Sequence, residues 1–179
     1  MKKVWYSIVA VAFLLPLSAS AADSAAVLDA KVAEAIAAFK EEVNGGDVFL
    51  RQAAGYLVFP RVIKVGIGIG AETGEGALRV AGRTAAYYRT TSGSFGLQLG
   101  AQAKSIVIAF MTKESLAAFR ASSGWQVGID GSVAFVDMGA GKTIDSQNVR
   151  DPIVGFIYNS SGLMANLTLE GSRFTRISR

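Results

Sequence analysis

The sequence predicts an α+β protein, built from a mainly antiparallel, Gly-rich β-sheet or sandwich with an N-terminal amphipathic helix and a short helix after its central strand. Three observations support this prediction. A stretch near the N-terminus repeats apolar residues at helical spacing, and most of the following chain alternates apolar residues with glycine or short polar ones. The 179 residues, 51% of them hydrophobic and 18% charged, suffice for a single domain with its own core.

The chain begins with the features of an export signal. Met1 to Lys3 is basic, Val4 to Leu17 is almost entirely apolar, and small residues follow at Ala19 to Ala21. This order is typical of a secretory signal peptide, and the apolar run is shorter than the about 20 residues that a membrane span needs. We expect cleavage between Ala21 and Ala22, which leaves a single domain over residues 22–179 in the periplasm or outside the cell. Because the chain has no Cys, no lipid anchor on an N-terminal Cys is expected.

A helix is predicted over Ser24 to Val43. Its apolar residues recur at spacings of three or four and form one stripe: Leu28, Val32, Ile36, Phe39 and Val43. The sequence Asn44-Gly45-Gly46 then ends the helix. Its polar face is mostly acidic, whereas helices that lie on membrane surfaces usually carry a basic face. We therefore expect this helix to pack against its own domain.

From Gly55 onwards the pattern changes to that of β-strands. The clearest alternation places apolar residues at the odd positions from Phe95 to Ala103, with Gly or Gln between them. Short connections favour antiparallel pairing. The predicted strands are Gly55–Phe59, Arg61–Ala71, Ala77–Arg83, Ser94–Ala103, Lys104–Met111, Trp125–Val136, Pro152–Tyr158 and Leu163–Leu169, with a helix over Lys113–Ala121 and a turn at Asn159–Gly162.

Several of these strands have one apolar face and one face of Gly and short polar residues. Gly in a strand allows the close approach either of other parts of the fold or of a ligand. Lys64, Arg79 and Arg83 are candidates to share such a face and to hold an anionic head group there. A scattered set of surface bases would give the same pattern.

A second candidate for membrane contact is the C-terminus. Arg173, Arg176 and Arg179 form a basic tail. Such a tail either contacts an anionic membrane or is simply a solvated terminus, and the sequence leaves both interpretations open.

The composition excludes most catalytic chemistry. The chain contains neither His nor Cys, which removes Ser-His-Asp triads, Cys nucleophiles, disulfides, zinc sites and haem ligation through these residues. No cofactor, metal or enzymatic activity is expected, and a carboxylate-dependent hydrolase is the least favoured hypothesis. Gly66 to Ala71 fits a loose dinucleotide-binding pattern but lies within a strand, and Gly139 to Thr143 lacks the leading Gly of a phosphate-binding loop.

The charge argues against nucleic acid as a partner. Removing the two lysines of the signal peptide from 18 basic residues leaves 16 against 14 acidic residues, a net charge of +2. Nucleic-acid-binding domains usually carry a concentrated basic patch.

Five segments, in order along the chain, resemble segments of the SYLF domain family. The resemblance covers about Val27 to Arg179. Its motifs are Gly55-Tyr56-Leu57-Val58-Phe59-Pro60; Thr73-Gly74-Glu75-Gly76-Ala77-Leu78, which looks like the family's Gly-x-Gly turn; Ser94-Phe95-Gly96-Leu97-Gln98-Leu99-Gly100-Ala101-Gln102; Ala117-Ala118-Phe119; and Ser161-Gly162-Leu163-Met164-Ala165-Asn166-Leu167-Thr168-Leu169-Glu170-Gly171.

The resemblance implies a lipid-binding domain of the exported, single-domain bacterial type, without catalysis. Relatives in eukaryotes bind phosphoinositide membranes and, in fungi, actin filaments, but actin is not an expected partner of an exported protein. The leading hypothesis is therefore an envelope protein that binds anionic lipid or a membrane surface. The alternative is a structural or protein-interaction module of the envelope. The sequence does not indicate the oligomeric state.

Overall fold

The computed structural model describes residues 23–137, 151–162 and 169–179. The predicted signal peptide with its cleavage site at Ala21 and Ala22, and all but the last residue of the predicted strand Leu163–Leu169, lie outside the described residues. The described elements are the helices α1 (Ala25–Glu42), α2 (Gly46–Gln52) and α3 (Lys113–Ala121) and the strands β1 (Gly55–Val80), β2 (Arg83–Phe110), β3 (Trp125–Gln126), β4 (Ala134–Asp137), β5 (Ile153–Gly162) and β6 (Arg173–Ile177).

Two of the three helices begin and end where the sequence predicts. Helix α1 starts after Ser24, whose side chain accepts a hydrogen bond from the Val27 N–H, and α3 starts after Thr112, which accepts one from the Ser115 N–H. One face of α1 is buried, through Leu28, Val32, Ala35 and Phe39. Helix α2 was not predicted from the sequence; it is a short helix that begins directly after the Gly45 that follows α1.

A two-stranded ribbon of β1 and β2 forms most of the sheet. The two strands pair antiparallel from Val80 and Arg83 to Gly55 and Phe110, and the connecting Ala81 and Gly82 both have positive φ angles, of 48° and 76°. Such a pair of angles is typical of the tight turns that join antiparallel strands. The prediction of separate shorter strands in this region is wrong, because bulges bend the strands without ending them.

The ribbon folds back over itself, and glycines make this possible. A Cβ atom on Gly76 would lie 2.1 Å from the Val58 carbonyl oxygen, and one on Gly74 would lie 2.7 Å from that of Arg61. The two halves of β1 are therefore in backbone contact. The segment 73–78, predicted as a turn from the family resemblance, lies within β1, and its glycines serve this contact instead.

The remaining strands extend the sheet on both sides of β2. The sheet has the order β3-β6-β2-β5-β4, with β1 also paired to β2. All these pairs are antiparallel except β4 with β5. The strand predicted over Trp125–Val136 is two short strands, interrupted by a turn in which Gly128 has a φ of 85°. The turn predicted at Asn159–Gly162 lies within β5, which bulges there instead of reversing.

Two clusters of buried side chains lie on the two faces of the curled sheet. The cluster enclosed by the sheet includes Leu57, Phe59, Ile108, Phe119 and Phe174. The cluster between the sheet and helices α1 and α2 includes Val32, Phe39, Val58, Val107 and Phe156. Successive residues of β1 and β2 therefore point to different cores. The α+β class and the mainly antiparallel sheet are confirmed, and the sheet is a single curled one.

Candidate functional site

The bent end of the ribbon, here called the apex, has an apolar outer surface. It comprises residues 63–72 of β1 and 92–103 of β2. Ile63, Val65 and Ile69 are 40%, 51% and 67% exposed. In register, Ile63 lies opposite Ala103 and Val65 opposite Ala101, so small apolar residues flank this stripe. Contiguous exposed apolar surface on a folded domain usually marks a site of interaction with a membrane or a protein.

The inner surface of the apex is polar. Lys64, Glu72 and Gln102 are 7%, 5% and 5% exposed, and just beyond the apex Lys104 is 3% exposed. The Nζ atom of Lys104 lies 2.9 Å from Oε2 of Glu72, so these two residues form a buried ion pair between the two layers of the ribbon. Lys64 forms no ion pair with any other described residue.

The apex thus inverts the usual distribution of residues in a soluble protein. Apolar side chains face outwards while lysine, glutamate and glutamine face inwards. The alternation along the strands produces this arrangement, since neighbouring positions such as Lys64 and Val65 lie on opposite faces. Ionisable groups that face inwards with apolar groups outside are the pattern expected of a segment in contact with hydrocarbon.

Glycines at the sharpest point of the bend allow the two layers to meet. A Cβ atom on Gly66 would lie 2.6 Å from the Cα of Gly70, and Gly68 has a φ of 70°. Both observations require glycine, the first because of space and the second because of backbone conformation. The Gly66 to Ala71 string therefore lies in a strand, as predicted, and its glycines form the bend of the ribbon.

A groove of about 470 Å³ lies at the base of the apex, between α1 and the ribbon. Its apolar wall includes Leu28, Pro60 and Ile63, and its charged wall includes Lys31, Arg61 and Arg89. Ile63 belongs both to the groove and to the exposed apolar stripe, so the two surfaces are continuous.

Most charges of the groove are already paired. Lys31 Nζ lies 2.7 Å from Asp23 Oδ2, and Arg89 Nη2 lies 2.8 Å from Glu75 Oε1. Glu75 also pairs with Arg179. Burial alone would raise the pKa of the Glu75 carboxyl, but the hydrogen bonds from Arg179 and Arg89 outweigh it and hold that pKa below its ordinary value of 4.5. Glu75 therefore stays ionised at neutral pH and neutralises part of the positive charge of the two arginines.

Arg61 is the cation of this groove without an acidic partner among the described residues. A bulge determines its position: Phe59 pairs with Ile106 and Val62 with Lys104, so Pro60 and Arg61 together face a single residue of β2. The Ser105 hydroxyl donates a hydrogen bond of 2.8 Å to the Pro60 carbonyl and closes the bulge. Bulges commonly re-aim a side chain, and here the side chain is an exposed arginine.

The three cations proposed from the sequence do not come together on one face. Lys64 is buried inside the apex, and Arg83 is exposed beside the turn at the other end of the ribbon. Arg79 lies under α1, where its Nη2 atom is 3.7 Å from Asp29 Oδ1. Asp29 also accepts hydrogen bonds from Thr84 and Tyr87, at 2.7 and 3.0 Å, so this network attaches α1 to the ribbon.

The three C-terminal arginines have different surroundings. Arg173 and Arg176 are exposed residues of β6, and Arg176 lies opposite Tyr88 of β2. Arg179 pairs with Glu75, and its side chain is only 13% exposed. The end of the chain is therefore attached to β1, next to the groove.

Sequence reasoning missed Arg61 and the outward direction of the apolar stripe. The signal for the second was present, since the lysines and the glutamate of this region are in phase with the glycines. None of the helices in the described ranges has the length and hydropathy needed to cross a membrane. Within the same ranges, no group of three or more acidic residues is arranged to hold a metal ion.

Comparison with known families agrees with the resemblance found in the sequence. No curated protein matches the chain. Residues 91–178 match the Ysc84 family, which is described as "Las17-binding protein actin regulator". This range contains the segments at Ser94–Gln102 and Ala117–Phe119 and the closing segment at Ser161–Gly171. The predicted family is thereby confirmed: over residues 91–178 the chain carries the domain of the SYLF, or Ysc84, family.

Proposed function

We propose that this protein is an exported, non-enzymatic lipid-binding protein of the cell envelope, and that it binds membranes by inserting the apolar outer surface of the apex. The observation that carries this proposal is the inversion at the apex, where Ile69 is 67% exposed while Glu72 is 5% exposed. The family supports it, since SYLF domains are associated with lipid and actin binding. Export is the expectation drawn from the N-terminal segment.

The energy available from the apex matches a reversible membrane contact. Complete burial of an Ile or Val side chain is worth about 1.5–3 kcal/mol. Ile63, Val65 and Ile69 are each roughly half exposed, so moving them into hydrocarbon would contribute roughly 2–4 kcal/mol together. The sequence adds Phe95, Leu97 and Leu99 to the same end of the ribbon.

The length of the apex matches the depth of one leaflet. The rise along a strand is about 3.3 Å per residue, so the path from Ile63 to the bend at Gly68 spans about 16 Å. The hydrocarbon core of a bilayer is about 30 Å thick, and one leaflet is therefore about 15 Å. An upright ribbon inserted to Ile63 would place its bend near the middle of the bilayer.

Vesicle co-sedimentation of the full chain tests the proposal, with neutral and anionic vesicles at low and physiological salt. Ile69→Ser and Val65→Ser should each weaken binding roughly tenfold, because each removes about 1 kcal/mol of apolar transfer and adds a hydroxyl that loses its water. Ile129→Ser is the matched control, since Ile129 is 74% exposed but lies outside the apex. The N-terminal apolar segment is the same in every variant, so differences between variants report the ribbon.

The salt dependence separates this proposal from a head-group site made of Lys64, Arg79 and Arg83. Binding through apolar insertion should persist at physiological salt, whereas binding through exposed charges should weaken. Equal binding by Ile69→Ser, Ile129→Ser and the unmodified chain would refute insertion of the apex. In that case the exposed apolar stripe would be reassigned to contact with a protein partner, as in a structural or interaction module of the envelope.

A further inference from the structure

We infer that the groove at the base of the apex is a binding site for the head group of an anionic phospholipid, with Arg61 as the residue that binds the phosphate. This inference rests on the proposed membrane insertion and adds a second contact with a specific residue. It is carried by the juxtaposition, in one groove of about 470 Å³, of an exposed arginine and an apolar wall that continues into the apex.

The charge of the groove favours an anion at Arg61. Lys31 and Arg89 are engaged by Asp23 and Glu75, whereas Arg61 has no acidic partner among the described residues. An arginine guanidinium binds phosphate through two parallel hydrogen bonds, which makes it better suited to this ligand than a lysine. The bulge at Pro60 and Arg61 keeps this side chain exposed on the side of the sheet that faces α1.

The apolar wall selects a lipid rather than free phosphate. Leu28, Pro60 and Ile63 line the groove beside the charged groups. A free phosphate would gain nothing from these side chains, while the glycerol and first methylene groups of a phospholipid would be removed from water by them. The volume of the groove lies within the range of small-molecule sites, at the size of a head group rather than of a whole lipid.

The height of the groove agrees with this assignment. If Ile63 lies at the boundary of the hydrocarbon, then Arg61, two residues further from the bend, lies about 7 Å beyond that boundary. Phosphate groups occupy this interfacial region, since a bilayer of about 30 Å hydrocarbon measures about 40–45 Å with its polar layers. Insertion of the apex and binding at Arg61 can therefore occur together.

A soluble lipid tests the groove independently of membrane insertion. Short-chain phosphatidylglycerol, kept below its micelle concentration, is titrated into the full chain and followed by NMR. We expect binding that Arg61→Gln weakens roughly ten- to a hundredfold, the effect of losing one charge-assisted contact, and that Arg61→Lys weakens less. Arg120→Gln is the control, because Arg120 is an exposed arginine of α3 that does not line the groove.

Vesicles and inorganic phosphate complete the test. Arg61→Gln should leave binding to phosphatidylcholine vesicles unchanged and abolish the additional affinity for vesicles of equal parts phosphatidylcholine and phosphatidylglycerol. Absence of short-chain lipid binding, or equal effects of Arg61→Gln and Arg120→Gln, would overturn the inference while leaving the result for Ile69→Ser intact. Inorganic phosphate that binds as tightly as the short-chain lipid would overturn the assignment to a lipid. Binding of the short-chain lipid that depends on Arg61, together with no effect of Ile69→Ser on vesicles, would sustain the groove and refute insertion.

Discussion

Replacing Glu72 by Gln is expected to destabilise the protein more than any other loss of a single carboxylate among the described residues. Glu72 is the one acidic residue among the buried described residues, where it accepts from Lys104 Nζ at 2.9 Å. The side chains of Lys104 and Glu72 are 2% and 4% exposed. Lys64 lies opposite Gln102 and is therefore a diagonal neighbour of Lys104 on the same face. Removal of the carboxylate leaves two buried ammonium groups close to each other.

The magnitude follows from the burial of the pair. Removing one partner of a buried ion pair typically costs about 3–5 kcal/mol, because the remaining charge stays buried without compensation. For a chain of this size each kcal/mol lowers Tm by about 2–4 °C, so Glu72→Gln should lower Tm by about 6–20 °C. Lys104→Met should cost less, since Lys64 remains near the carboxylate. The double variant Glu72→Leu with Lys104→Met should recover much of the loss, because both charges are then absent.

Thermal unfolding followed by circular dichroism, supported by urea titration, measures these differences in stability. Glu41→Gln is the control, because Glu41 is an exposed residue on α1. A Tm for Glu72→Gln within about 2 °C of the unmodified chain would correspond to less than about 1 kcal/mol. That result would show that the interior of the apex is open to water, and it would refute the argument from burial.

Three further predictions concern other parts of the fold. Gly76→Ala should destabilise the protein by about 3 kcal/mol in urea titrations, since its Cβ would meet a carbonyl 2.1 Å away, whereas Gly93→Ala, with nothing within 4 Å, should change little. The pKa of Glu75 is lowered in the folded state, so the stabilisation it gives is complete above its ordinary value of 4.5 and is lost as the pH falls through the lower folded value. The difference in Tm between Glu75→Gln and the unmodified chain should therefore be present at pH 7 and vanish in acid; a difference that stays constant would contradict this. Tyr158→Phe should cost about 1 kcal/mol, because its hydroxyl donates a buried hydrogen bond of 2.7 Å to a carbonyl of α1, and an unchanged Tm would show that water replaces it.

The helices were predictable because their signals are local. Ser24 and Thr112 are polar caps directly before runs with helical spacing, and the structure places α1 and α3 directly after them. The alternation within the ribbon was equally visible. Alternation, however, tells which residues share a face and not which face is enclosed, and the face that is enclosed changes along β1. Leu57 and Phe59 are enclosed below the bulge at Pro60, whereas above it the polar residues are enclosed.

The fold-back and the groove were not predictable because they depend on contacts between distant residues. Gly74 and Gly76 resemble turn residues in the sequence, yet they are required where one half of β1 crosses the other. Ala81 begins the actual turn with a positive φ, a conformation that its residue type does not indicate. Arg61 looked like an ordinary strand residue, and its exposure results from a bulge whose position only the pairing partner on β2 reveals.

The turn at Ala81 and Gly82 also determines how mutations of different kinds will be tolerated along the ribbon. Every pair from Val80 and Arg83 to Gly55 and Phe110 is counted outwards from it, like the teeth of a zip. Many single substitutions change one side chain only, but a deletion of one residue within the strands shifts the count beyond it. Because side chains alternate, such a shift exchanges the two faces of all the following residues. Insertions and deletions in this gene region should therefore be far rarer than substitutions, and those that persist should come in multiples of two or fall in compensating pairs on the two strands.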